Sequence, residues 1–221
     1  MIVERIKTLV VIGLSISTLG MISCSKESVQ AEQNLNSQAE TPSVIISETP
    51  KADVPYVPTA NEVVEKMLEM AKVSSNDIVY DLGSGDGRIP IAAVKQYDAQ
   101  KATGVEINPD LVQESRDNAK KSGVSDKVKF LQQDLFKTDL SDATVVTLYL
   151  LPAINLKLRP KLLQELKPGT RIISHAFDMG DWKPERVEQV KDKSGRTYTL
   201  YQWTVPENVP KNLLEQGTSN E

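Results

Sequence analysis

The chain has 221 residues, 39% hydrophobic and 25% charged, enough to bury one sizeable core and to set a single domain as the expectation. A net charge of -4, a pI near 5.3 and 5% aromatic residues argue against a nucleic-acid partner, which needs a basic field and stacking platforms. One cysteine rules out an intrachain disulfide and one histidine a histidine-rich cluster, so no metal site is expected.

Residues 1–24 differ from the rest. Arg5 and Lys7 precede an apolar stretch over residues 8–22, closer in length to a signal-peptide core than to a full membrane span. Met21-Ile22-Ser23-Cys24 resembles a bacterial lipobox, with Met21 where leucine is usual, so Cys24 is the expected lipidation site. An uncleaved anchor is the alternative. Both make the membrane a partner through the N-terminus, and the positive-inside rule sends the remainder outward, as an exported lipoprotein. A cytoplasmic-facing anchor is the other localisation. Residues 25–53 are rich in Ser, Glu, Gln, Asn and Thr and read as a disordered tether.

The folded part is expected over residues 54–206, with a flexible tail over residues 207–221. Thr59 and Glu62 form a Thr-x-x-Glu capping box ahead of an amphipathic helix carrying Val63, Val64, Met67, Leu68 and Ala71. A buried strand follows over residues 78–80, a helix over 89–97, a strand over 102–105, and a helix from Asn108-Pro109 to Lys121, closed by Gly123. Strands are read over 128–131, 144–151 and 171–175, with a helix over 155–166 between the last two. This alternation implies right-handed βαβ units, hence a doubly wound, Rossmann-like α/β sheet, mostly parallel, with helices on both faces. Two β-like runs, 186–190 and 197–205, end it as an antiparallel hairpin.

Residues 78–88 read IVYDLGSGDGR, an apolar run ending in Asp81 and passing into Gly83, Ser84, Gly85, Asp86 and Gly87. Glycine admits close backbone approach, and the next helix points unpaired N–H groups into the turn, as in a nucleotide site. A phosphate suits it poorly. A carboxylate ~5 Å from a phosphate costs on the order of 3 kcal/mol at an effective dielectric near 20. S-adenosylmethionine carries adenosine, a sulfonium and an ammonium but no phosphate, so the same acids attract it. The dinucleotide fingerprint GxGxxG also fails, because Arg88 stands in the third glycine position.

Ligands of doubly wound sheets lie across the C-terminal strand ends, where three acids fall in register. Asp81 ends the first strand and would orient the loop or meet the cofactor ammonium through water. Glu106 ends the second and would accept from ribose hydroxyls. Asp134 follows the third and would accept from the adenine amino group, with Leu135 or Phe136 donating a backbone N–H. Turn formation by Asp81 and Asp86, a surface charge at Glu106 and an Asx-turn at Asp134 are the structural alternatives.

PYVPT at residues 55–59, YDLGSGDGR at 80–88, GVEINPDLV at 104–112, TVVTLYLLP at 144–152 and LRPKLLQELKPGTRIISH at 158–175 resemble the methyltransferase family that includes the ATP synthase c-subunit lysine N-methyltransferases. The resemblance runs over about residues 54–205. It implies a seven-stranded class I methyltransferase sheet, S-adenosylmethionine as cofactor, and an amine acceptor, on a protein lysine or a small molecule.

Methyl transfer to an amine needs alignment and a neutral nitrogen rather than an enzyme nucleophile. Tyr149, near the end of the fourth strand, would hydrogen-bond the amine, or it only packs. His175, ending the fifth, would be a general base, or it holds the following loop. Asn155, Asp178 and Trp182 are the remaining expected substrate contacts. The alternative to an enzyme is a non-catalytic exported or membrane-tethered binding protein reusing the fold.

Overall fold

The computed structural model describes residues 55–215, all within the compact unit Ser47–Glu221. The expected leader, Cys24 and the tether lie outside the described residues. Seven strands form one sheet: β1 (Ile78–Leu82), β2 (Lys101–Glu106), β3 (Val128–Gln132), β4 (Val145–Leu148), β5 (Arg171–His175), β6 (Arg186–Lys191) and β7 (Thr197–Thr204). Their order is β3-β2-β1-β4-β5-β7-β6, with β7 antiparallel to both of its neighbours and every other pairing parallel.

Successive strand residues point to opposite faces, so each inner strand feeds two cores. Val145 and Ile173 join Val63, Met67, Ala93 and Val112 on the face covered by α1 (Asn61–Met70), α2 (Arg88–Tyr97) and α3 (Pro109–Ser122). Their neighbours Val146 and Ile172 join Leu158, Leu162 and Trp203 on the face covered by α4 (Pro152–Glu165). Burial on both sides leaves all of β4 buried, with Thr147 its one polar residue. Among the described residues, no helix is long and apolar enough to cross a membrane.

Sequence and structure differ at three places. The Thr59/Glu62 capping box does not form: the N-cap of α1 is Ala60, without a side-chain cap. Thr59 instead turns its hydroxyl toward His175, and Glu62 lies 3.1 Å from Lys193, because tertiary partners compete with the local bond. β4 stops at Leu148, releasing Tyr149 and Leu150 from the sheet, and α4 starts at Pro152. Proline suits a first helical turn, whose N–H groups lack partners anyway.

The third difference is the tail. Residues 207–215, expected to be flexible, fold back so that Leu213 is buried and Arg159 donates to the carbonyls of Leu213, Glu215 and Met179. A guanidinium this deep needs acceptors, and the chain end provides two of them. Arg159→Leu keeps the bulk but removes all three bonds. It should lower unfolding stability by about 3 kcal/mol, read as a lower urea midpoint at unchanged slope.

Candidate functional site

The sheet reverses its winding at β1, which pairs with β2 on one side and β4 on the other. The loops leaving these three strands diverge there and open a cavity of about 690 Å³, in the size range of small-molecule sites. Asp81, Gly83, Ser84 and Asp86 border it from the first loop, Glu106 and Asn108 from the second, and Tyr149 and Leu150 from the end of β4. Asp134, Leu135 and Phe136 close it beyond β3, and the strap of residues 55–59 crosses the near side.

The glycine loop is shaped from behind. Gly85 has φ +52, and a Cβ there would lie 2.2 Å from the Tyr56 ring; Gly87, with φ +82, would meet Phe130 at 2.5 Å. Neither glycine borders the cavity, so they serve the loop's path while Gly83 and Ser84 face the space. Glu106 accepts from the N–H of Gly85 at 3.0 Å with one oxygen, and from those of Ile107 and Asn108 at 2.9 Å with the other. Asn118 of α3 adds a bond to the Asp86 carbonyl at 3.0 Å.

The acids differ in environment. Asp81 is 3% exposed and accepts from the Thr147 hydroxyl at 2.7 Å. Burial, joined by the charges of Glu106 and Asp86, outweighs that bond and raises its pKa to about 7. Asp86 is also partly buried, but its hydrogen bonds and ion pair with Arg88, at 2.7 Å, outweigh burial and hold its pKa below the usual carboxylate value. Arg88 then reaches the Thr59 carbonyl at 2.6 Å and so fastens the strap to the loop. Asp134 forms the Asx-type turn, accepting from Phe136 N–H at 2.9 Å, while still bordering the cavity.

Besides Gly85 and Gly87, four residues expected at the site do not border the cavity. Asn155 lies within α4, donating to Ser174 and to the carbonyls of Phe177 and Asp178. Trp182 is buried against Trp203, whose indole N–H donates to its carbonyl at 2.7 Å. Asp178 accepts from Gly180 N–H in an exposed turn. His175 is 1% exposed and lies behind Tyr149, their ring centroids 3.8 Å apart. The early start of α4 and the tightness of the turn after β5 account for these shifts.

Sequence reasoning missed Tyr56 and Arg88 as parts of the site. Arg88 counted only as a missing glycine, although an Asp-x-Arg spacing at a helix start suits a bidentate pair.

The donor set fits S-adenosylmethionine. Four carboxylates border the cavity against two cations, of which Arg88 is engaged by Asp86 and Lys157 lies over the Phe136 ring at 4.4 Å. Ser84 borders the cavity, while its buried Oγ packs against Gly104 and has no hydrogen-bond partner among the described residues. A family model described as the ANTKMT methyltransferase domain matches residues 81–186. A protein-lysine N-methyltransferase of Saccharolobus islandicus (strain REY15A) is 48% identical over 155 residues, covering 70% of this chain and 96% of that protein. The chain belongs to this methyltransferase family.

Other relatives of the methyltransferase carry different descriptions. A human ATP synthase c-subunit lysine N-methyltransferase is 37% identical over 137 residues, 62% of this chain and 58% of that protein. A solved Salinibacter ruber structure, described as an RNA methyltransferase in complex with S-adenosyl-L-homocysteine, superposes with a TM-score of 0.66 at 55% identity. It covers 72% of this chain and 100% of that one. The methyltransferase is an enzyme, and its cofactor is S-adenosylmethionine. The relatives lend no support to a non-catalytic binding protein.

Below pH 7 the free Asp81 holds a proton that a cationic ligand displaces, so S-adenosylmethionine affinity should fall as pH drops below about 7, by up to about tenfold per unit. The same raised pKa makes the folded protein lose stability as pH rises from about 4 to 7. Calorimetric titration across this range checks the first effect, and Asp81→Asn should flatten it. Gly85→Ala should cost about 1–2 kcal/mol of strain, displace the Tyr56 ring and weaken cofactor binding, read in the same titration.

Proposed function

We propose that this methyltransferase acts on the side-chain amine of protein lysine. The observation that carries the reading is the 48% identity to a protein-lysine N-methyltransferase across 96% of that relative's length. The bound cofactor supplies an activated methyl group on a sulfonium. In this reading Glu106 accepts from the ribose hydroxyls with its remaining lone pairs, while Asp134 and the Leu135 amide meet the adenine edge. Asp81 faces the ammonium.

The protein's part in the chemistry is alignment. Holding the reacting atoms in line and excluding water supplies about 7–11 kcal/mol of barrier reduction. Tyr149 borders the cavity where the chain leaves β4 and is the polar side chain nearest in sequence to the expected acceptor approach. His175 is not the base assigned from sequence in this reading, because it does not border the cavity.

The description of the Salinibacter ruber protein favours RNA as a second acceptor class. Against it stand the net charge of -4 and the acidic cavity, since phosphate contacts dominate RNA affinity and require clustered cations. Incubation of the purified enzyme with methyl-labelled cofactor and cell lysate separates the two. Label should survive ribonuclease, disappear with protease and emerge as methyl-lysine after hydrolysis; label lost to ribonuclease overturns the lysine reading.

The N-terminal segment supports a membrane-tethered location, outward-facing with Cys24 lipidated, on the strength of Arg5, Lys7 and the 21–24 motif. Metabolic labelling with palmitate should mark the wild-type chain and not Cys24→Ser; equal labelling, or none, removes the lipid anchor.

A further inference from the structure

Thr59, Tyr149, His175 and Tyr198 come from four parts of the chain and meet beside the end of β5. The His175 ring stacks on Tyr149 at 3.8 Å between centroids and 28° between planes. Tyr198 meets the same imidazole edge-on at 5.1 Å, and His175 Nδ1 lies 3.3 Å from Thr59 Oγ1. Three contacts therefore fix one buried ring. Tyr149 and Thr59 border the cavity, whereas His175 does not. The imidazole thus covers one face of the half-buried Tyr149, a residue that itself borders the cavity.

An aromatic face bordering an acidic cavity attracts a cation through its quadrupole. A lysine ammonium and its methylated forms are cations on a narrow apolar stem, suited to a cavity that Leu150 and Ile154 also line. The support behind the ring must stay uncharged, since a cation there would oppose one in front. Burial, with the charge of Arg196 beyond Tyr198, lowers the His175 pKa to about 4 and keeps the imidazole neutral.

We propose that the open face of Tyr149 is the acceptor-lysine subsite and that His175 is a positioning residue which holds that ring in place. This rests on the lysine reading above. His175 touches neither donor nor acceptor; it sets where the amine waits, and through Thr59 it ties that wall to the strap that Arg88 fastens to the cofactor loop.

Steady-state methylation by the full chain, with a pool of synthetic lysine peptides as acceptor, tests this when paired with calorimetric titration of S-adenosylmethionine. Tyr149→Ala and His175→Ala should each raise the peptide KM by roughly tenfold, while the cofactor Kd stays within about twofold. His175→Phe returns a ring behind Tyr149 and should recover most of the His175→Ala loss. A peptide KM unchanged in His175→Ala, or a parallel loss of cofactor binding in a folded variant, overturns the positioning role. If His175→Ala does not fold, Tyr149→Leu decides: an unchanged peptide KM there overturns the subsite. Wild-type enzyme that binds cofactor but methylates no peptide overturns the lysine reading and the subsite with it. An active wild type with indifferent variants overturns the subsite alone.

Discussion

Three backbone N–H groups converge on the carboxylate of Glu106, and the cavity wall depends on that convergence. Gly85 comes from the loop after β1, while Ile107 and Asn108 lead from β2 into α3. One buried side chain therefore joins two crossovers at the point where the sheet reverses direction. Charge-assisted bonds of this kind are about twice as strong as neutral ones. They also explain how an acid is accommodated at 8% exposure with no ion-pair partner among the described residues. The glycines follow from this constraint: only a residue with positive φ lets Gly85 aim its N–H at Glu106 while its α-carbon passes under the Tyr56 ring.

Around this tie the acids take separate states. Asp86 is committed to Arg88 and kept ionised, and Arg88 in turn holds the Thr59 carbonyl, so the strap over the cavity is fixed by the charge pair that closes the loop. Asp81 has only the Thr147 hydroxyl and sits near its titration point at neutral pH. Two aspartates five residues apart thus differ in state, one a structural anion and the other a buried carboxyl near its titration point. At the end of β5 the titration is reversed: burial and the charge of Arg196 hold His175 neutral.

Much of this was legible in the residues. Asp81 and Glu106 border the cavity as expected because strand ends and glycine turns are local features, readable from an apolar run and its punctuation. Asp134 forms the Asx-turn with one carboxylate oxygen, while the other lies 3.8 Å from Lys137, and the residue still borders the cavity. Tyr56 stayed hidden because it lies on a strap whose path no periodicity encodes, and for Arg88 only the Thr59 carbonyl lies across the fold, since its partner Asp86 is two residues away. Asn155, Asp178 and Trp182 were drawn toward the site by proximity in sequence. The helix that begins at Pro152 turns Asn155 inward, where Ser174 and the turn carbonyls satisfy it.

By itself the sequence determined the order of strands and helices, the antiparallel ending, the acid-flanked glycine loop and the acids at the strand ends. These rest on hydrophobic period, glycine and charge, which act over a few residues. Only the tertiary structure decided which groups share a wall. Tyr149 against His175, Arg88 against Thr59 and Arg159 against the chain end pair residues 26, 29 and 54 or more positions apart. Such pairs form only when the two cores close and each buried polar group must take whichever partner the packing leaves within reach.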